Sequence, residues 1–384
     1  MDQKKTPVVI RKVGDSHAVW FSASQSFVLF EDPAWDVFRL RAIDTNITDI
    51  IKYIHLKYGG SKKNVSKFAK DVIAGIDKFT DPENRPYKPP ESGQYLNRGS
   101  ENVYSKKSYE IQGRSYTFLY DQELLYQCFH PLLAGFDKKG RIHADGIFRL
   151  SLQQGLFVFR YNGKIAEVFR ESELPYLKGA VFQKLLSLIH NVRYDGWMMT
   201  FHASGVTDGK SVVLFSAGAG LGKSTLAALM QANGYSLVAD DFIPVAKKTG
   251  KAYSFPGALS VKEGSWKVLA PWYPGLLNGE LPESGFLGKR IRHLPVNSFS
   301  GEVHSYPVKA VVFVRYDAGA GCNIEKIGKK EALREVLVET WVSPTASNVR
   351  RFFSWIHRTG FYRLTYSDNM KAVETVQKLF SGEL

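Results

Sequence analysis

Nine residues near the middle of the chain carry the clearest chemical signal. The run Ala217-Gly218-Ala219-Gly220-Leu221-Gly222-Lys223-Ser224-Thr225 follows the apolar stretch SVVLF and opens the stretch STLAALM. A short strand, a glycine-rich turn and a helix start, in that order, form the P-loop that cradles phosphates. Glycines let successive N–H groups turn inward on a polyphosphate. The helix N-terminus adds a positive dipole. Lys223 is placed to bridge terminal phosphates, and the Ser224 hydroxyl to hold Mg2+. The expected ligands are therefore ATP and Mg2+, held by Gly218, Ala219, Gly220, Leu221, Gly222, Lys223, Ser224 and Thr225. Such loops usually open with glycine, and here Ala217 takes that place. Alanine costs about 1 kcal/mol there if the backbone needs a positive φ.

Two further features lie close by in sequence. Asp240 and Asp241 close the stretch YSLVADD. A carboxylate at a strand end beside the loop can hold a metal or accept a hydroxyl proton. Adjacent side chains along a strand point to opposite faces, so both serve one site only if the strand ends there. His202, in FHASGV, lies just upstream of the loop strand.

These residues need a scaffold, and the sequence pattern supplies one. From Met198 onward, apolar strands (SVVLFSA, YSLVADD, KAVVFVRYD) alternate with helical stretches (STLAALMQANG, KKEALREVLVET, NMKAVETVQKLF). That alternation argues for an α/β layer structure. Residues 108–197 mix strand-like runs (YTFLY, GIFRL, GLFVFRYNG) with a helix over about 180–191, which reads as an antiparallel and helical lead-in. Before it, DPENRPYKPPESGQYLNRGS is rich in proline, glycine and polar residues and carries no hydrophobic period. The segment 81–107 is expected as a linker. Residues 1–80 read as three β-rich runs (VVIRKV, HAVWFSA, SFVLFED) followed by three helices, the first capped by Asp32 with Pro33 in its first turn.

Composition sets the outer limits. A net charge of +14 favours polyanionic partners, such as ATP, an acidic peptide or nucleic acid, or else marks a lysine-rich solvated surface. Cys128 and Cys322 are too few and too far apart for a disulfide framework or a metal cluster. No apolar run is long enough to cross a bilayer, and the first residues have no signal-peptide core. The expected location is the cytoplasm, with no membrane partner.

In order and spacing, His202, the run from Gly220 to Ser224, and Asp240-Asp241 resemble the HPr kinase family. The resemblance covers roughly residues 198–384. It implies a P-loop kinase core of the HPr kinase/PEP carboxykinase type, with Asp240 as general base, His202 and Lys223 also catalytic, and Asp241 beside Ser224 as metal ligand. Two departures stand out: Thr225 replaces the family's acidic residue, and the family's later glycine-rich segment is replaced by FPGALSVKEGSW and GKRIRHLP. Lys262, Lys289, Arg290 and Arg292 in those segments are candidate contacts for acceptor or phosphate. The pattern of residues 1–80, with DPAWDVFRL, resembles the winged-helix-like recognition domains of the pyrroloquinoline-quinone chaperone type, which bind leader segments of ribosomally made peptides. Together the resemblances imply a kinase acting on a serine of a peptide or protein, in the manner of lasso-peptide-type precursor kinases. A small-metabolite kinase, or a nucleotide-binding regulator without phosphoryl transfer, stays open as an alternative. Nucleic-acid binding ranks below peptide binding, and oligomerisation is left open.

Overall fold

A computed structural model describes residues 8–85, 87, 90, 102–140, 143–218, 220–255, 257–286, 289–295 and 305–384. Ala219 and residues 91–101 of the expected linker lie outside the described residues. The chain forms two compact units. The first gathers residues 1–88, 328–338 and 342–358, and the second gathers 89–327, 339–341 and 359–384. The expectation of one catalytic domain over 108–384 differs from this division at residues 328–338 and 342–358.

In the first unit, strands Val8–Val13, Ser16–Phe21 and Ser26–Phe30 form an antiparallel sheet in chain order. Helices Ala34–Ala42, Ile47–Tyr58 and Lys62–Thr80 follow. The second and third helices start where Asn46 and Ser61 side chains accept the Asp49 and Asn64 N–H groups, satisfying otherwise unpaired donors. The first helix makes no side-chain cap bond, so the expected Asp32 cap is not formed and Pro33 occupies the cap position. One sheet face sends Val19, Phe21 and Phe30 against Phe38 and Ile76. The other face is set by alternation along the strand. There Phe27 meets Phe352 and Phe353 of helix Ala346–Arg358, with ring centroids 5.8 and 5.9 Å apart. A helix more than two hundred residues away in sequence thus completes the small unit. Helix Lys329–Val338 adds charge pairs, Lys330 to Asp15 at 2.9 Å and Arg334 to Glu31 at 2.7 Å.

The second unit is a mixed α/β assembly. Its central six-stranded sheet has the order Ser236–Ala239, Ser204–Thr207, Val212–Ser216, Val308–Tyr316, Gly360–Tyr366, Asn323–Lys326. The middle strands Val212–Ser216, Val308–Tyr316 and Gly360–Tyr366 run parallel. The continuous buried runs Val212–Ser216 and 310–314 suit strands covered on both faces. Helices Lys223–Ala232 and Asn369–Ser381 contribute Leu226, Leu229, Val373 and Val376 to the buried core of this unit. A separate five-stranded sheet spans Ser105 to Arg170, starting inside the segment expected as linker. It is not purely antiparallel. Arg114–Tyr120 and Gly146–Gln153 pair in parallel, and helix Glu123–Leu133 makes part of the crossover between them. Among the described residues, no helix is long and apolar enough to cross a membrane.

Candidate active site

The strand–loop–helix expected around the glycine run is present. Strand Val212–Ser216 ends at the loop, and helix Lys223–Ala232 begins on it. The positive φ angles fall on Gly220 (87°) and Gly222 (100°), not on Ala217, so alanine at the loop's first position carries no left-handed strain. The two glycines answer different needs. A Cβ at Gly220 would meet nothing within 4 Å, so that position opens to the cradle. A Cβ at Gly222 would stand 2.9 Å from the Tyr366 hydroxyl, so glycine there permits close packing. The loop is pinned from below, where the Tyr316 N–H donates to the Leu221 carbonyl at 3.1 Å.

The second strand of the site, Ser236–Ala239, stops one residue before the aspartates. Asp241 then takes a φ of 62°, in the left-handed region that aspartate tolerates better than most residues. The strand end and this turn free the pair from strict alternation, and both carboxylates address the loop. They do so differently. Asp240 is buried and receives bonds from the Ser204 hydroxyl, the Ser224 hydroxyl (3.1 Å) and the Ser260 N–H (3.0 Å). Asp241 keeps 46% of its side chain exposed and shares one oxygen, Oδ1, between Lys223 Nζ at 2.7 Å and His202 Nε2 at 3.2 Å. His202 Nδ1 lies 2.7 Å from Glu339 Oε2.

The electrostatics follow from these contacts. Burial pushes the Asp240 carboxyl above its ordinary range, and the neighbouring Asp241 charge adds to this. Burial acts upward on Asp241 too. The His202 hydrogen bond and the Lys223 charge outweigh it and hold Asp241 below the carboxylate range. The bond to Asp241 raises His202, against burial and the nearby Lys223 charge, with Glu339 adding to the rise. Comparison with protein-family models and with curated proteins finds no match.

The arrangement suits a polyphosphate and a divalent ion. Lys223 and an open glycine turn offer charge and N–H donors, and Ser224 with Asp240 offers two oxygen ligands side by side. Among the described residues, no group of three His, Cys, Asp or Glu side chains would hold a metal unaided.

The remaining predicted residues are placed less uniformly. The Thr225 hydroxyl bonds Ser265 Oγ at 2.7 Å, inside the fold. Lys262 is exposed at the end of strand Leu259–Lys262. Lys289 begins strand Lys289–Leu294, and its side chain lies outside the described residues. Arg290 binds Glu283 at 2.7 Å and Glu263 at 3.0 Å and lies over the Trp266 ring. Arg292 departs from its expected role. It is buried, with its guanidinium taken up by Glu283, the Leu276 carbonyl and the Trp266 face, which leaves it built into the sheet. Sequence reasoning missed Ser204, Ser260 and Glu339. Ser204 sits only two residues beyond His202, but a lone serine gives no motif. Ser260 acts through its backbone, and Glu339 is 137 positions from its partner.

Proposed function

We propose that the second unit transfers the γ-phosphoryl group of ATP to a serine hydroxyl of a peptide or protein, with a ribosomally made precursor peptide as the acceptor class. The observation that carries this reading is the meeting of Lys223 and Ser224 with two aspartates of unlike surroundings. A nucleotide-binding site needs the loop alone. A half-exposed carboxylate held by the loop lysine and a histidine adds a group able to take a proton beside the terminal phosphate.

The contacts favour exchanging the roles expected for the two aspartates. Asp240 is buried against Ser224 and suits the metal side. Bound there, Mg2+ would neutralise charge on the phosphate oxygens. Asp241 is open to an acceptor and suits the base. In the resting site its basicity is held down by Lys223 and His202. A polyphosphate competing for Lys223 removes one of these cations and raises the proton affinity of Asp241 when substrate is present. The acceptor oxygen then forms the new bond to phosphorus as the bond to the β-phosphate oxygen breaks, and its proton passes to Asp241.

Within this proposal the first unit recruits the acceptor. The outer strands of its sheet, Val8–Val13 and Ser26–Phe30, each have an edge that an extended peptide can prolong. Recruitment raises the effective concentration of a weakly held serine. ADP release, followed with and without serine-containing peptides, tests the reading. ADP formation that depends on peptide supports it. Hydrolysis at the same rate in both cases contradicts it.

A further inference from the structure

We propose that Glu339 is a positioning residue for His202, fixing the ring so that Nε2 faces Asp241. The inference deepens the reading above, because it rests on Asp241 being the proton acceptor. Glu339 grips its partner twice. Its carbonyl accepts the His202 N–H at 2.8 Å, and its carboxylate meets Nδ1 at 2.7 Å. Carboxylates can only accept, so the ring donates on both sides, from Nδ1–H to Glu339 and from Nε2–H to Asp241. The His202 side chain is 47% exposed, so surrounding packing restrains it only in part, whereas Glu339 keeps only 21% exposure. The fixed member of the pair is thus the glutamate. The fold supplies the alignment: strand Thr340–Val342 lies beside strand Trp197–Phe201, which places Glu339 next to His202. The charged groups facing the ring are Asp241, Glu339 and Lys223. Histidines held in this way, with one ring nitrogen tied to a carboxylate and the other aimed at a reacting group, have their orientation set by the outer partner.

Nitrogen-edited NMR of the imidazole signals tests the positioning directly, with His202 identified by the signals lost in His202→Gln. In the unsubstituted protein Nδ1 of His202 is expected to be protonated and slow to exchange. Glu339→Ala should remove that signature, and Glu339→Gln, whose amide oxygen can accept the same bond, should retain it. Unchanged His202 signals in Glu339→Ala overturn the proposal. If that variant melts early, Glu339→Asp, which shortens the reach, takes its place with the same two outcomes. This arm needs neither ATP nor peptide, so it stands even if the proposed reaction is wrong. The kinetic arm uses peptide phosphorylation. Glu339→Ala should lower kcat roughly tenfold to a hundredfold with KM for ATP unchanged, and should add no loss in a His202→Ala background. Losses that multiply instead show that Glu339 acts independently of His202.

Discussion

Each unit contains an aspartate clamped by two cations. In the first, Asp36 is held by Arg39 at 2.6 Å and Lys57 at 2.7 Å, with the Tyr58 hydroxyl at 2.8 Å. In the second, Asp241 is held by Lys223 and His202. Both carboxyls sit below their ordinary range despite the upward push of burial. They differ in access. The Asp36 side chain is 4% exposed and its partners reach in from its own helix and the next one, whereas Asp241 is 46% exposed at the mouth of a glycine loop. A perturbed carboxylate therefore does not mark a functional site by itself. What the structure shows to differ between the two is exposure, which Asp241 keeps and Asp36 lacks.

The comparison is open to direct attack. Asp241→Asn is expected to remove about two to four powers of ten from peptide phosphorylation. A normal rate in this variant would put Asp241 in the same class as Asp36. Lys223→Ala should cost on the order of 10²–10³ in turnover, measured with the same peptide, because it removes charge from the phosphates themselves. The smallest effect belongs to Asp36 and is read in stability rather than rate. Its carboxyl is lowered from 3.8 to about 2 in the folded protein. A group depressed on folding stabilises the protein above its unfolded value, and that stability fades as pH falls from about 4 toward 2. The contribution is about 2 kcal/mol. In Asp36→Asn, urea unfolding monitored across this range should lose that acid-dependent part. A variant with the same acid dependence as the unsubstituted protein would show that the clamp carries no folding energy.

The strand–loop–helix around the glycine run was legible in the sequence because it is written in contiguous residues. Strand, glycine turn, Lys223 and Ser224 occupy one stretch, and the chain from His202 to Asp241 spans three neighbouring strands of one sheet together with the loop and helix between the second and third. Which aspartate faces which partner was not legible. That depends on where strand Ser236–Ala239 stops and on the left-handed turn at Asp241. The make-up of the first unit was hidden for a different reason. Its three strands and three helices follow from periodicity, but the apolar stripe of Val349, Phe352, Phe353 and Ile356 in helix Ala346–Arg358 names no partner in sequence. Phe27 supplies part of its cover. Removing residues 1–80 strips that cover, so such a truncation would disturb folding as well as any recruitment of substrate.

The claim on which the account stands is that this site moves a phosphoryl group onto a peptide hydroxyl. Mass spectrometry of serine-containing peptides, including candidate precursor peptides with their leaders, after incubation with the full-length protein, ATP and Mg2+ tests it most directly. Phosphoserine is expected with the unsubstituted protein, and about a hundredfold to a thousandfold less of it with Lys223→Ala. Nucleotide bound in a Mg2+-dependent way, with no peptide acquiring phosphate, would contradict it.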